Sequence, residues 1–144
     1  MDSGTLGEAL EREHREIDRG IEAFGSGDDD AVEALAAAIA ALRRHIYLEE
    51  EFLFPPMQDE LAIPIGVMLR EHGELWRTLD ALEPQLAEAG DAGVVAATCE
   101  RLLAQLELHN SKEEPIFYTR ADASLGPEAT AELKAFLDSA QMPA

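Results

Sequence analysis

Apolar residues recur at steps of three and four along four stretches of this chain, and each stretch is interrupted by histidine or glutamate. The first stretch reads Leu6, Leu10, His14, Ile17, Ile21, Phe24. The second reads Val32, Leu35, Ile39, Leu42, Ile46, Glu49, Leu53, with His45 beside it. The third is Ile65, Met68, His72, Leu75, Leu79, Leu82, Leu86, and the fourth Val95, Cys99, Leu102, Leu106, His109, Glu113, Ile116. This is the period of a helix that turns one side to an interior. No stretch alternates with period two, so a sheet protein is excluded.

Punctuation sets the expected boundaries. A first helix from about Thr5 to Phe24 stops at Gly25-Ser26-Gly27, and Asp28 to Asp30 are candidate caps for a second, which runs until Pro55-Pro56. Pro64 opens a third helix that reaches about Ala89 with a bend at Pro84. Gly90-Asp91-Ala92-Gly93 closes it and caps a fourth, which ends near Arg120. A short fifth helix over about 127–140 follows Gly126-Pro127. Short connections favour antiparallel neighbours, so the expected fold is an all-α, up-down-up-down four-helix bundle (about 5–120) with a C-terminal fifth helix, in one domain of 144 residues.

Charge and cysteine content narrow the function classes. With 30 acidic against 11 basic residues, the net charge of -19 repels phosphate backbones and anionic lipid, so neither nucleic acid nor a membrane is an expected partner. Cations are favoured. The single cysteine, Cys99, allows no internal disulfide and no thiolate-rich zinc site, and the N-terminal residues lack the pattern of a signal peptide. A cytoplasmic setting, with no membrane span, is expected.

The interruptions of the stripes carry the chemistry. His45 with Glu49 and His109 with Glu113 have i, i+4 spacing, which points imidazole and carboxylate from one helix face toward one place. Glu13-His14 and Glu71-His72 repeat a second phrase. The offset is 58 residues from His14 to His72, and 64 both from His45 to His109 and from Glu49 to Glu113, so the chain reads as two copies of one helix pair. One His-Glu pair in a glutamate-rich chain is a weak signal. Four imidazoles and two carboxylates converging on one small core are a strong one, because burying them unpartnered costs several kcal/mol per ionised group. Metal ions remove that cost. The competing reading is a metal-free bundle with buried ion pairs. Counted from loop centres near residues 91 and 27, His72 and His109 lie level, whereas His14 and His45 are expected about 7 Å out of level.

These motifs, from Leu6 to Tyr118, resemble the hemerythrin-like (HHE cation-binding) family: His14, His45-x-x-x-Glu49 followed by Glu50-Phe52-Pro55, Glu71-His72 and His109-x-x-x-Glu113. The resemblance implies a left-handed bundle holding two non-haem irons, His14 and His45 on one, His72 and His109 on the other, with Glu49 and Glu113 bridging. An oxo- or hydroxo-bridge would then leave each iron one exchangeable position for dioxygen, nitric oxide or peroxide. Oxygen-carrying members have a fifth histidine on the third helix; here Met68 or Trp76 stands in its place, according to how that phrase is aligned. Binding, enzymatic turnover on peroxide or nitric oxide, and iron or oxygen sensing remain alternatives, and manganese or zinc would suit the same donors. Glu50, Glu51 and Glu114 are read as solvated surface, and Glu13 and Glu71 as exposed charge, with a hydrogen bond to a ligand as the alternative. Cys99 is read as inert core, and Tyr47, Trp76 and Tyr118 as aromatic filling near the site.

Overall fold

The computed structural model describes residues 5–26, 30–87 and 91–139. Four long helices form it: α1 (Leu6–Glu22), α2 (Ala31–Leu48), α3 (Ala62–Ala87) and α4 (Ala92–Ile116), followed by α5 (Ala121–Ser139). Thr5 and Glu8 close a reciprocal capping box on α1, and Asp91 caps α4 by accepting from the Gly93 N–H at 2.7 Å. Asp30 precedes α2 without a side-chain cap; the other predicted loop residues Gly27, Asp28, Asp29 and Gly90 lie outside the described residues. Pro64 falls in the first turn of α3, and α3 and α4 continue through Pro84 and Pro115. Among the described residues, no helix is long and apolar enough to cross a membrane.

Two apolar clusters fill the interior. One joins Ile17, Ile21, Leu35, Leu42, Leu79, Cys99 and Leu102 near the α1–α2 and α3–α4 connections. The other joins Leu6, Leu10, Phe54, Met68, Phe117, Tyr118 and Leu133 toward the opposite end. Between these two groups along α1 to α4 come the polar residues: His14 between Leu10 and Ile17, His72 between Met68 and Leu75. A polar layer is thus sealed on both sides by hydrocarbon.

The C-terminal segment differs from the expectation of a helix over about 127–140. It begins at Ala121, six residues earlier, and is broken at Gly126, whose φ of 80° lies in the left-handed region that glycine occupies without steric cost. The early start has a use: the Asp122 carboxylate accepts from the backbone N–H of Leu6 at 2.9 Å and ties α5 to the start of α1. Leu133 then plugs the second apolar cluster.

Two irregular turns place the site. A 3₁₀ turn, Ala23–Ser26, prolongs α1 with a rise of about 2.0 Å per residue instead of about 1.5 Å. Over four residues this adds about 2 Å. The predicted mismatch of a full turn is absent, since His14 Nε2 and His45 Nε2 stand 3.0 Å apart. The second is a π turn over Glu49–Leu53, in which Phe54 N–H bonds to the Glu49 carbonyl at 2.8 Å. Pro55 and Pro56 have no N–H with which to continue an α pattern, and the helix widens just before them.

Candidate metal centre

All six residues singled out in the stripes meet in the polar layer. His14, His45, His72 and His109 are between 2% and 4% exposed, and Glu49 and Glu113 are fully buried. They form two donor sets that share both carboxylates: His14, His45, Glu49, Glu113 and Glu49, His72, His109, Glu113, each with its ligand atoms within 4.8 Å of one another. In the first set His14 Nε2 stands 3.0 Å from His45 Nε2 and 3.2 Å from Glu113 Oε1, and His45 Nε2 is 2.9 Å from Glu49 Oε2. In the second, His72 Nε2 lies 3.0 Å from Glu49 Oε1, and His109 Nε2 lies 3.4 Å from Glu113 Oε2.

Hydrogen-bond accounting shows what these atoms want. Every imidazole donates Nδ1–H to a carboxylate: His14 to Glu114 at 2.9 Å, His45 to Glu13 at 2.7 Å, His72 to Glu50 at 2.9 Å and His109 to Glu71 at 2.8 Å. In the neutral ring this leaves the Nε2 lone pair facing inward, the orientation used by metal-binding histidines. Glu49 Oε1, Glu113 Oε2 and His72 Nε2 are buried with no hydrogen-bond partner; the 3.0 Å approach of His72 to Glu49 lacks hydrogen-bond alignment. Orphaned acceptors at that depth are costly. Two imidazole nitrogens and two carboxylate oxygens per set suit a first-row transition-metal ion, so the residues present fit such a group. The layer also encloses a cavity of about 10 Å³, room for a single small particle.

The outer carboxylates repeat the internal symmetry. Glu13 and Glu71 are 58 residues apart and serve the histidine of their own helix pair; Glu50 and Glu114 are 64 apart and serve the histidine of the other pair. Arg44 and Lys112 brace Glu13 and Glu71. Sequence readings are corrected here: Glu13 and Glu71, read as exposed charge, are 11% and 14% exposed and accept from ligand candidates, as the alternative reading had it. Glu50 and Glu114 are not free surface charge: they are about one-third exposed and hydrogen-bonded to ligand candidates. They were missed because they sit off the stripes, and their partners belong to the opposite half of the chain. Glu51 is exposed, as expected.

Without metal, protons take the cation's place. Burial works against the imidazolium of His72, but the carboxylates of Glu49 and Glu50 outweigh it and raise the ring to about 9. The same opposition raises His14, His109 and, most strongly, His45 beside Glu49 and Glu13. Burial would raise Glu49, yet His45 and His72 hold it well below the usual carboxylate range.

The aromatic residues divide. Trp76 is 37% exposed under the Arg43 guanidinium, which lies 4.4 Å from its ring centre, and Tyr47 stacks on Phe136 of α5. Both line an outer cleft of about 490 Å³ that reaches Glu50 and His72. Tyr118 is buried, with its hydroxyl inside the first donor set.

Removing an outer acceptor should loosen metal without unfolding the bundle. Glu50→Ala and Glu114→Ala are each expected to weaken metal affinity about 10- to 100-fold in chelator competition, while Glu51→Ala has no effect. Equal affinities for all three would show that the Nδ1 contacts do not orient the rings.

A family model, the hemerythrin HHE cation-binding domain, matches residues 5–121, from the α1 cap to the first residue of α5. Comparison with curated proteins and with solved structures gave no significant match. With the larger part of its length covered by that model and the donor sets lying within it, the chain belongs to the hemerythrin HHE cation-binding domain family.

Proposed function

We propose that this chain is a single-domain non-haem di-iron protein whose function is to take up or react with a small ligand: dioxygen, nitric oxide or peroxide. One observation carries the reading: two N₂O₂ donor sets share Glu49 and Glu113, the arrangement of two ions bridged by two carboxylates. In this reading the helices run up, down, up and down with a left-handed twist, and His14 with His45, and His72 with His109, each hold one iron. Iron held by these residues, with an oxo or hydroxo bridge, would supply a redox-active place for the small ligand.

The chain's own residues do the rest. Glu13, Glu50, Glu71 and Glu114 fix the ring orientation of all four histidines and raise the basicity of Nε2. The apolar clusters above and below the layer exclude bulk water and keep the local dielectric low. The cleft beside His72 is a short path from solvent.

Metal analysis and an absorption spectrum of aerobically purified protein test this. Two irons per chain with near-ultraviolet charge-transfer bands are expected. Protein that takes up no iron on anaerobic addition of ferrous salt followed by air, or that holds only manganese or zinc, would overturn it.

A further inference from the structure

Four ligand atoms surround the Tyr118 hydroxyl: His14 Nε2 at 2.8 Å, His45 Nε2 at 2.7 Å, Glu49 Oε2 at 2.5 Å and Glu113 Oε1 at 3.0 Å. Successive members of that ring are themselves 3.2, 3.0 and 2.9 Å apart, from Glu113 through His14 and His45 to Glu49. Atoms bound to one ion at about 2.0–2.2 Å and at right angles to each other lie about 3 Å apart. An oxygen at that distance from all four is at the apex above a square base. With neutral imidazoles, the state that metal binding requires, all four Nδ1–H groups go to outer carboxylates and the surrounding atoms are acceptors; a phenol has one proton to give, so in that state hydrogen bonding alone does not account for the ring.

The other half of the chain provides the contrast. The 64-residue offset that relates Glu49 to Glu113 relates Phe54 to Tyr118. Phe54 is buried and stacks on His72, ring centres 5.7 Å apart, and offers no donor atom. Tyr118 is held in its place by a close backbone crossing: a Cβ on Gly7 would stand 2.2 Å from the Tyr118 carbonyl oxygen, so glycine alone lets the turn after α4 lie against α1.

Resting on the di-iron reading above, we propose that the Tyr118 oxygen is the fifth protein ligand of the ion held by His14 and His45, so that the ion held by His72 and His109 alone keeps an exchangeable position. Clefts of about 490 Å³ and 420 Å³ reach His72 and His14 respectively, so the difference between the two positions rests on the Tyr118 oxygen and not on access from solvent. Binding transfers the phenolic proton to solvent while an oxygen lone pair forms the bond to the ion; no electron is exchanged. The two metals are then inequivalent, although their histidines and carboxylates are related by the repeat.

The test is resonance Raman and visible absorption of the air-oxidised, iron-loaded full chain, with azide titration. The wild type should show a phenolate-to-ferric band with tyrosine ring modes. The chain has two tyrosines, and Tyr47→Phe should retain the band, which assigns it to Tyr118 even if the other variant does not load. Tyr118→Phe, a residue that the opposite half already accommodates, should lose the band while keeping two irons, and its azide stoichiometry should rise from one to two per chain. Protein with two irons but no phenolate band, or a band lost in Tyr47→Phe, would overturn the assignment while leaving the di-iron reading intact. Failure to take up iron at all would instead remove that reading.

Discussion

Glu49→Ala is expected to empty both metal positions together. The carboxylate belongs to both donor sets, 2.9 Å from His45 on one side and 3.0 Å from His72 on the other, so no variant at this position is confined to one ion. Metal content should fall from two per chain to nearly none after dialysis. The metal-free variant should also be less stable than the metal-free wild type by about 3–5 kcal/mol, the cost of removing one partner from a buried charged pair. Metal analysis beside a denaturant melt reads both effects. Retention of one full equivalent would mean that Glu49 serves a single ion, and the bridged arrangement would be lost with it. Glu113→Ala should behave alike, because Glu113 repeats the geometry 64 residues on.

Metal removal should reverse the sign of the protein's response to pH. In the metal-free chain His72 rises to about 9, and His14, His45 and His109 also rise above their ordinary value of 6.5. A folded state that holds a proton more tightly than the unfolded one gains stability that is complete below the unfolded value and drains away as pH climbs through the folded one. Metal-free protein should therefore lose stability between about pH 6.5 and pH 9. Glu49 acts in the opposite sense: its depressed value stabilises the fold above the ordinary carboxylate range and stops doing so as pH falls through the folded value. Loaded protein needs neutral imidazoles, so acid expels metal and alkali secures it.

The gap in melting temperature between loaded and metal-free protein should thus widen with pH. An ion present at about 1,000 times its Kd contributes about 4 kcal/mol, which for a chain of this size corresponds to a shift on the order of 10 °C. Paired thermal melts at about pH 6 and about pH 9 are decisive. Parallel pH dependence of the two forms would show that metal and protons do not compete for the same nitrogens.

Much of this site is legible in the chain because its ligands interrupt helical stripes. His14, His72 and Glu113 occupy positions where a bundle interior demands hydrocarbon, and an exception there is visible without coordinates. The repeat is equally visible, since a fixed offset survives whatever the helices do in space. Glu50 and Glu114 show the limit. Both sit one residue past a ligand on the side expected to face water, and each reaches a histidine from the other half of the chain. Spacing along one helix carries no information about a partner on another.

The sequence by itself determined the all-α class, the inward faces of the four helices except at Val32, which is 52% exposed while Ala31 turns inward, and the six residues that meet between them, because burial periodicity and the cost of unpartnered polar groups act locally. Three things were decided only by the tertiary structure. The close approach of His14 to His45, to which the longer rise of the 3₁₀ turn at Ala23–Ser26 adds about 2 Å, depends on how α1 and α2 dock. The start of α5 at Ala121 depends on the Asp122 carboxylate meeting the free N–H of Leu6, more than a hundred residues away. The difference between the two halves depends on a chain crossing at Gly7 that carries the Tyr118 hydroxyl into one donor set, while Phe54 leaves the other to hydrocarbon. Each is a contact between distant segments, whose distances are set by packing rather than by residue spacing.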